Sequence, residues 1–265
     1  MTLIVGTVEH AVSAGRRRYF DEGPFRGVAD YLFETMPGED LGPQALIARQ
    51  TSGCVLPVHF HRQHQFQIVL RGSGTLGKHR LAPGSVHYTS PQSAYGPIVA
   101  GEQGLDYFTF RVLTDKGAWY MPEARKFMQL GMFKEQAMGT LPKKLTQHAW
   151  QTLIPRREDG LGAWSCDGQA GSLYTIDEPG SSAGRFYAIL RGSYSLDDQI
   201  LPLGSCVFQP GSDRDPELLC CEDGSWLVVV QFPDQAVLNV VPPEFRIAPS
   251  PRGTAAVNGL RARAS

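Results

Sequence analysis

The chain has 265 residues, enough to bury a substantial core in one large β domain or two small ones. Its 25 basic and 26 acidic side chains leave a formal charge of −1, which excludes the electrostatic footprint of a nucleic-acid or acidic-membrane binder and points to a small molecule or another protein as partner. No apolar run is long enough to span a bilayer, Glu9 and His10 fall where a signal peptide needs an apolar centre, and the five cysteines are odd in number, so a cytoplasmic address with reduced thiols is expected.

In chain order, Leu3-Ile4-Val5 is a β-like start, followed by Arg16-Arg17-Arg18, read as a solvated or ion-paired surface feature, and a Gly23-Pro24 breaker. Val28 to Met36 and Gln44 to Gln50 are short apolar segments punctuated by Pro37-Gly38 and Gly42-Pro43, the turn spacing of an all-β domain. The stretch from Gly53 to Tyr95 holds five of the seven histidines. Leu105 to Leu113 then reads as a long strand. From Pro122 to Leu141 the pattern turns to helix formers broken by Gly131, which predicts a short helix or two as a connector. Pro249 to Ser265 is small, basic and breaker-rich, and is expected to be a disordered tail.

The histidine-rich stretch carries the chemistry. Side chains two apart on a strand share a face, so His59 and His61 offer two neutral imidazoles to one point in space. Gln65 follows, then the strand-like Phe66 to Leu70 and the turn Arg71-Gly72-Ser73-Gly74. Imidazole suits iron, zinc, nickel and manganese alike, so the pair calls for one divalent transition metal without naming it. Gln65 is an uncharged donor, either a metal ligand or a hydrogen-bonding neighbour. His87, on a strand after Gly84, and Tyr95 compete for the third position. His64 is read as an exposed polar residue with a rim position as the alternative, and His79 as solvated.

At these residues the sequence resembles the cupin superfamily. Its first motif, Gly, five residues, His-x-His, three or four residues, Glu, six residues, Gly, falls on Gly53, His59, His61, Gln65 and Gly72, with Gln in place of Glu. The second motif can be laid from Gly84 and puts Ser90, Gln92 and Tyr95 at its Pro, Gly and His. The resemblance implies a small jelly-roll barrel, a metal on His59 and His61 with Gln65 and His87 as further ligands, and Tyr95 or His87 moving a proton.

The second half repeats the first. At an offset of 120, nine identities run from Phe66/Phe186 to Ser85/Ser205, where chance gives roughly one or two. The ligands do not repeat: His59, His61, Gln65 and Tyr95 become Pro179, Ser181, Arg185 and Asp215. The expectation is therefore an all-β bicupin of two tandem barrels with a short helical connection. An N-terminal barrel with the metal site spans 1–122, a connector 123–145, a degenerate barrel 146–245 and a tail 246–265. The expected function is a metal-dependent enzyme, dioxygenase-like or a Lewis-acid isomerase or cyclase, acting on a small organic substrate, with a possible homodimer. A non-catalytic ligand-binding or sensory protein is the alternative.

Overall fold

The computed structural model describes residues 3–35, 42–115, 117–129, 131–139, 149–211 and 213–237; the expected tail lies outside them. Nearly every element is a strand. A nine-stranded sheet, built mainly from Gly27–Phe33, Gln44–Gln50, Gln65–Leu76, Val86–Thr89 and Ile98–Arg111, forms the first barrel. The strand pair His59–Phe60 and Trp119–Tyr120 closes its mouth. A six-stranded sheet (with Gly162–Gly168, Arg185–Arg191, Cys206–Gln209 and Ser225–Gln231) and a four-stranded one form the second.

The duplication is visible in the pairing. Phe110 lies opposite Phe66, and Val230 opposite Phe186, 120 residues on. The bulge between Asp106 and Tyr107 recurs between Trp226 and Leu227 on the equivalent strand, through their partners. Gly72 and Gly192 both have positive φ, at 78° and 69°. A Cβ on Gly72 would stand 2.1 Å from the Gly104 carbonyl oxygen, so the close approach of two strands fixes that residue as glycine.

The strands are apolar on both faces because each face has its own core. Phe66, Ile68 and Leu70 alternate with Gln65, Gln67 and Val69. The first set joins Phe108, Phe110, Phe186, Val228, Val230 and Phe232 in one cluster shared by both barrels, while Val69 and Tyr107 turn inward. Phe186 is the pivot, with ring centroids 4.5 Å from Phe110, 4.7 Å from Phe208 and 5.7 Å from Phe232.

Three segments differ from expectation. The N-terminal strand Ile4–Gly6 pairs with Cys206–Phe208, so it completes the second barrel's sheet rather than the first. It leads into the α-helix Val8–Ser13, which the sequence reading did not identify and whose Thr7 side chain accepts from the His10 N–H at 3.1 Å. The described part of the expected connector holds a short 3₁₀ helix, Glu123–Phe127, and then, beyond expectation, the strand Gln136–Gly139, which pairs with Val86–Thr89 of the first barrel. Here tertiary pairing overrides helix propensity: an open sheet edge offers backbone partners that an isolated short helix lacks. All five cysteines are free, and Cys220 is buried while Cys221 is exposed, as alternation on a strand requires. No described helix is long and apolar enough to cross a membrane.

Two members of the arginine run, Arg17 and Arg18, are ion-paired, and Arg16 donates to the Leu32 carbonyl. Arg18 bonds Glu34, and fully buried Asp30 accepts from Arg17 Nη2 and Arg49 Nε, each at 3.0 Å. Burial alone would raise the Asp30 carboxyl, but the hydrogen bonds and charges of the two guanidinium groups outweigh it and hold it below the usual 3.8. A carboxyl depressed in the folded state stabilises fully above its unfolded value and loses that contribution as pH falls through the folded one. Both arginines are about a third exposed, so Asp30→Asn should cost about 2 kcal/mol at neutral pH, between exposed and buried pairs. Urea unfolding at pH 7 and pH 3 checks this: the gap between wild type and variant should shrink at the lower pH.

Candidate functional site

The inward phase of the first barrel's strands is polar at one end. Gln44, Gln65, Gln67, Thr109 and Arg111 alternate with the residues of the shared core and line a cavity of about 430 Å³. Its outer wall is apolar and aromatic, formed by Phe20, Phe25, Tyr31, Leu56, Tyr107 and Tyr120. A large cavity with an apolar wall and converging polar groups at one end is the usual form of a small-molecule site.

His59 and His61 both line this cavity, with ring centroids 5.3 Å apart and planes at 89°. Each has its Nδ1 tied to an acceptor. His59 Nδ1 lies 2.7 Å from the Pro57 carbonyl oxygen, and His61 Nδ1 lies 3.2 Å from Asp115 Oδ2. Donation from Nδ1 leaves the Nε2 lone pair for a cation, the tautomer typical of metal-binding histidines. Burial, then the neighbouring His61, pushes His59 down to about 3, and burial and Arg111 also lower His61 against the opposing pull of Asp115. Both rings are therefore neutral at pH 7.

Gln65 and Tyr95 meet. Gln65 Nε2 donates to the Tyr95 hydroxyl at 2.7 Å, and the Tyr95 ring lies 4.4 Å from that of His59, tilted by 58°, with a β-bridge between the two residues. Burial pushes the Tyr95 phenol up, so it stays protonated. The amide oxygen of Gln65 is engaged by Arg111 Nη2, and Arg111 Nη1 donates to Gln44. The same Arg111 Nη2 lies 3.3 and 3.4 Å from the two ring nitrogens of His61. Asp115 is buried but held as a carboxylate: burial alone would raise it, and the His61 hydrogen bond, the Arg111 charge and the Arg62 N–H at 2.9 Å together lower it.

His87 is placed elsewhere. It lies at the inner end of the barrel, where it borders a small apolar void with Val69, Leu76, Ile98 and Tyr107. Its Nδ1 is 3.0 Å from Gln67 Oε1, its Nε2 is buried without a partner, and burial lowers it to about 4. Its ring is 5.0 Å from Tyr95, which separates it from the imidazole pair. His64, expected to be exposed, is buried, with Nδ1 2.6 Å from the Tyr88 hydroxyl. His79 is exposed, as expected.

The sequence reading missed Arg111 and Asp115. Asp115 lies 54 positions from His61 and carries no local signal. Arg111 carried one: at the offset of 120 it meets Gln231 while Gln65 meets Arg185, so an Arg–Gln pair recurs with its members exchanged.

Tested against a bound metal, the site fits through the imidazole pair and resists elsewhere. Among the described residues no group of three or more His, Cys, Asp or Glu side chains is close enough to hold a metal ion. Any further protein donors would be the Gln65 amide or the Tyr95 phenol, both neutral. A divalent ion about 4 Å from the Arg111 guanidinium would meet a repulsion of roughly 8 kcal/mol, twice that of two unit charges at an effective dielectric of 20. The pair can hold a cation when negative charge lies beside it, and Asp115 supplies one such charge.

No protein-family model matches the chain, and no curated protein does. Solved structures do match. A bacterial pirin from Escherichia coli in complex with nickel(II) has a TM-score of 0.50 at 11% identity, covering 88% of this chain and 100% of that one. A putative dioxygenase from Nostoc punctiforme has a TM-score of 0.58 at 13% identity, covering 89% and 84%. Salicylate 1,2-dioxygenase from Pseudoaminobacter salicylatoxidans, in adducts with gentisate, has a TM-score of 0.53 at 14% identity, covering 89% and 83%. At such identities the likeness shows the fold.

Proposed function

With the two-barrel cupin fold as premise, we propose that this chain is a metal-binding bicupin acting on a small organic substrate held in the cavity of its N-terminal barrel. The observation that carries this reading is the imidazole pair: His59 and His61 have both Nδ1 atoms tied to acceptors and both face the cavity. They would hold one divalent transition metal, with Gln65 as a neutral further donor. A metal there supplies Lewis acidity or, for a redox metal, dioxygenase-like chemistry. The chain's own residues bind and orient: the aromatic wall takes the apolar part of the substrate, and Tyr95 keeps its proton at the cavity wall beside His59. The cytoplasmic address and the homodimer belong to this proposal as well.

A second reading is a non-catalytic ligand-binding cupin. It is favoured by the position of Arg111 Nη2, 3.4 Å from His61 Nε2 and on the side a metal would use. Elemental analysis of protein purified without an affinity tag separates the two. The metal reading expects about one transition-metal ion per chain, and none in the His59→Ala/His61→Ala variant. Wild type that stays metal-free after incubation with iron, zinc, nickel and manganese, or a double variant that keeps its full complement, would sink the metal reading.

A further inference from the structure

The second barrel shows how this fold closes a buried guanidinium on its central strands. Arg185 is 1% exposed and saturated: it donates through Nε to Gln231, through Nη1 to Asp215 Oδ1 at 2.7 Å, and through Nη2 to the Glu178 carbonyl. Asp215 supplies the counter-charge.

The first barrel holds the same pair in mirror order, but among the described residues no carboxylate bonds its arginine; Asp115 acts on it only through its charge, across His61. Arg111 is 5% exposed and bonds Gln44, Gln65 and His61, all neutral, while its Nε has no partner. Where the second barrel has Asp215, the first has Tyr95, whose hydroxyl is engaged by Gln65. The carboxylates around the cavity are committed. Asp115 bonds His61 and the Arg62 N–H, and Glu34 bonds Arg18 and Gln44. Among the described residues Arg111 makes no salt bridge. A buried cation without a bonded carboxylate is costly, and this one borders a cavity with an aromatic wall.

We propose that Arg111 is the anion anchor of the first barrel, binding the carboxylate of a small monocarboxylic ligand whose apolar part lies against Phe20, Phe25, Tyr31 and Tyr120. The ligand carboxylate does for Arg111 what Asp215 does for Arg185. Arg18, the cavity's other guanidinium, is already paired with Glu34 and does not take this role. The inference rests on the reading of the cavity as a small-molecule site; it does not need the metal.

The test is calorimetric titration of the full chain, stripped with a chelator, with benzoate and with its uncharged counterpart benzamide. Wild type should bind benzoate at least about tenfold more tightly than benzamide, as expected for a charge-assisted bond. Arg111→Gln should remove that preference, and Arg111→Lys, which keeps the charge and loses the fork, should fall between. Gln65→Glu is nearly isosteric, so it serves if the arginine variants fail to fold: its carboxylate pairs with Arg111 from within and should weaken benzoate about tenfold while sparing benzamide. The proposal is overturned if wild type binds no benzoate, if benzamide binds as well, if Arg111→Gln or Gln65→Glu binds benzoate like wild type, or if benzoate binds only after metal is restored. Wild type that stays metal-free after incubation with iron, zinc, nickel and manganese yet prefers benzoate through Arg111 would end the metal reading and leave the anchor standing.

Discussion

Phe186→Ala is expected to destabilise the whole chain by about 3–5 kcal/mol, the range for deleting a fully buried aromatic side chain. For a chain of this size that corresponds to a fall in midpoint of roughly 10 °C. Phe186 is 0% exposed, sits on a strand of the second barrel, and packs on Phe33 and Phe110 of the first as well as Phe208 and Phe232 of its own. The loss should appear as a single shifted transition, because the two barrels share a large buried cluster in addition to the inner core of each. Phe133→Ala is the control: that side chain is 77% exposed and its removal should leave the midpoint within error. A Phe186→Ala variant that melts like wild type, or in which only one of two resolved transitions moves, would contradict the shared core. By the same argument a chain ending near residue 125 should aggregate. It would lose the strand Gln136–Gly139 from its edge and expose Phe66, Phe108 and Phe110 as an apolar face.

The second large effect belongs to the closed guanidinium. Asp215→Asn keeps the shape of the side chain and removes the only carboxylate that the described residues offer Arg185. Breaking a buried ion pair by deleting one partner costs about 3–5 kcal/mol, because the other charge stays buried. Asp215 is 27% exposed, so water can partly solvate the site and about 3 kcal/mol is the expected loss. Tyr187, whose hydroxyl donates to Asp215 at 2.8 Å, loses its charged acceptor in the same step. Removing both charges is a different experiment. Arg185→Met/Asp215→Asn should recover most of the loss, since an uncharged pair of similar volume leaves no stranded buried charge. Guanidinium chloride unfolding of the two variants reads the difference. If the double variant is as unstable as the single one, the single variant's cost comes from lost packing and not from the stranded charge.

What the sequence determined by itself is what local spacing encodes. His59 and His61 lie on one side of a short strand because of the two-residue period. The turn at Gly72 needs glycine because a side chain there would strike a neighbouring strand, and the same residue at Gly192 made the duplication legible. Apolar strands and breaker residues gave the all-β class, and the change to Pro179, Ser181, Arg185 and Asp215 distinguished the second repeat from the first at the four candidate positions.

Only the tertiary structure decided which groups share a space, since contacts between distant positions leave no periodic trace. It brought Asp115 to His61 and Arg111 to Gln65, and it set His87 behind Tyr95 at the apolar end of the barrel. It gave Ile4–Gly6 to the second barrel and Gln136–Gly139 to the first, because open strand edges take backbone partners wherever the chain supplies them. It also set the charge of the site. Side-chain identity says that Arg111 is a cation; only the arrangement of Gln44, Gln65 and His61 around it says that no described carboxylate bonds it.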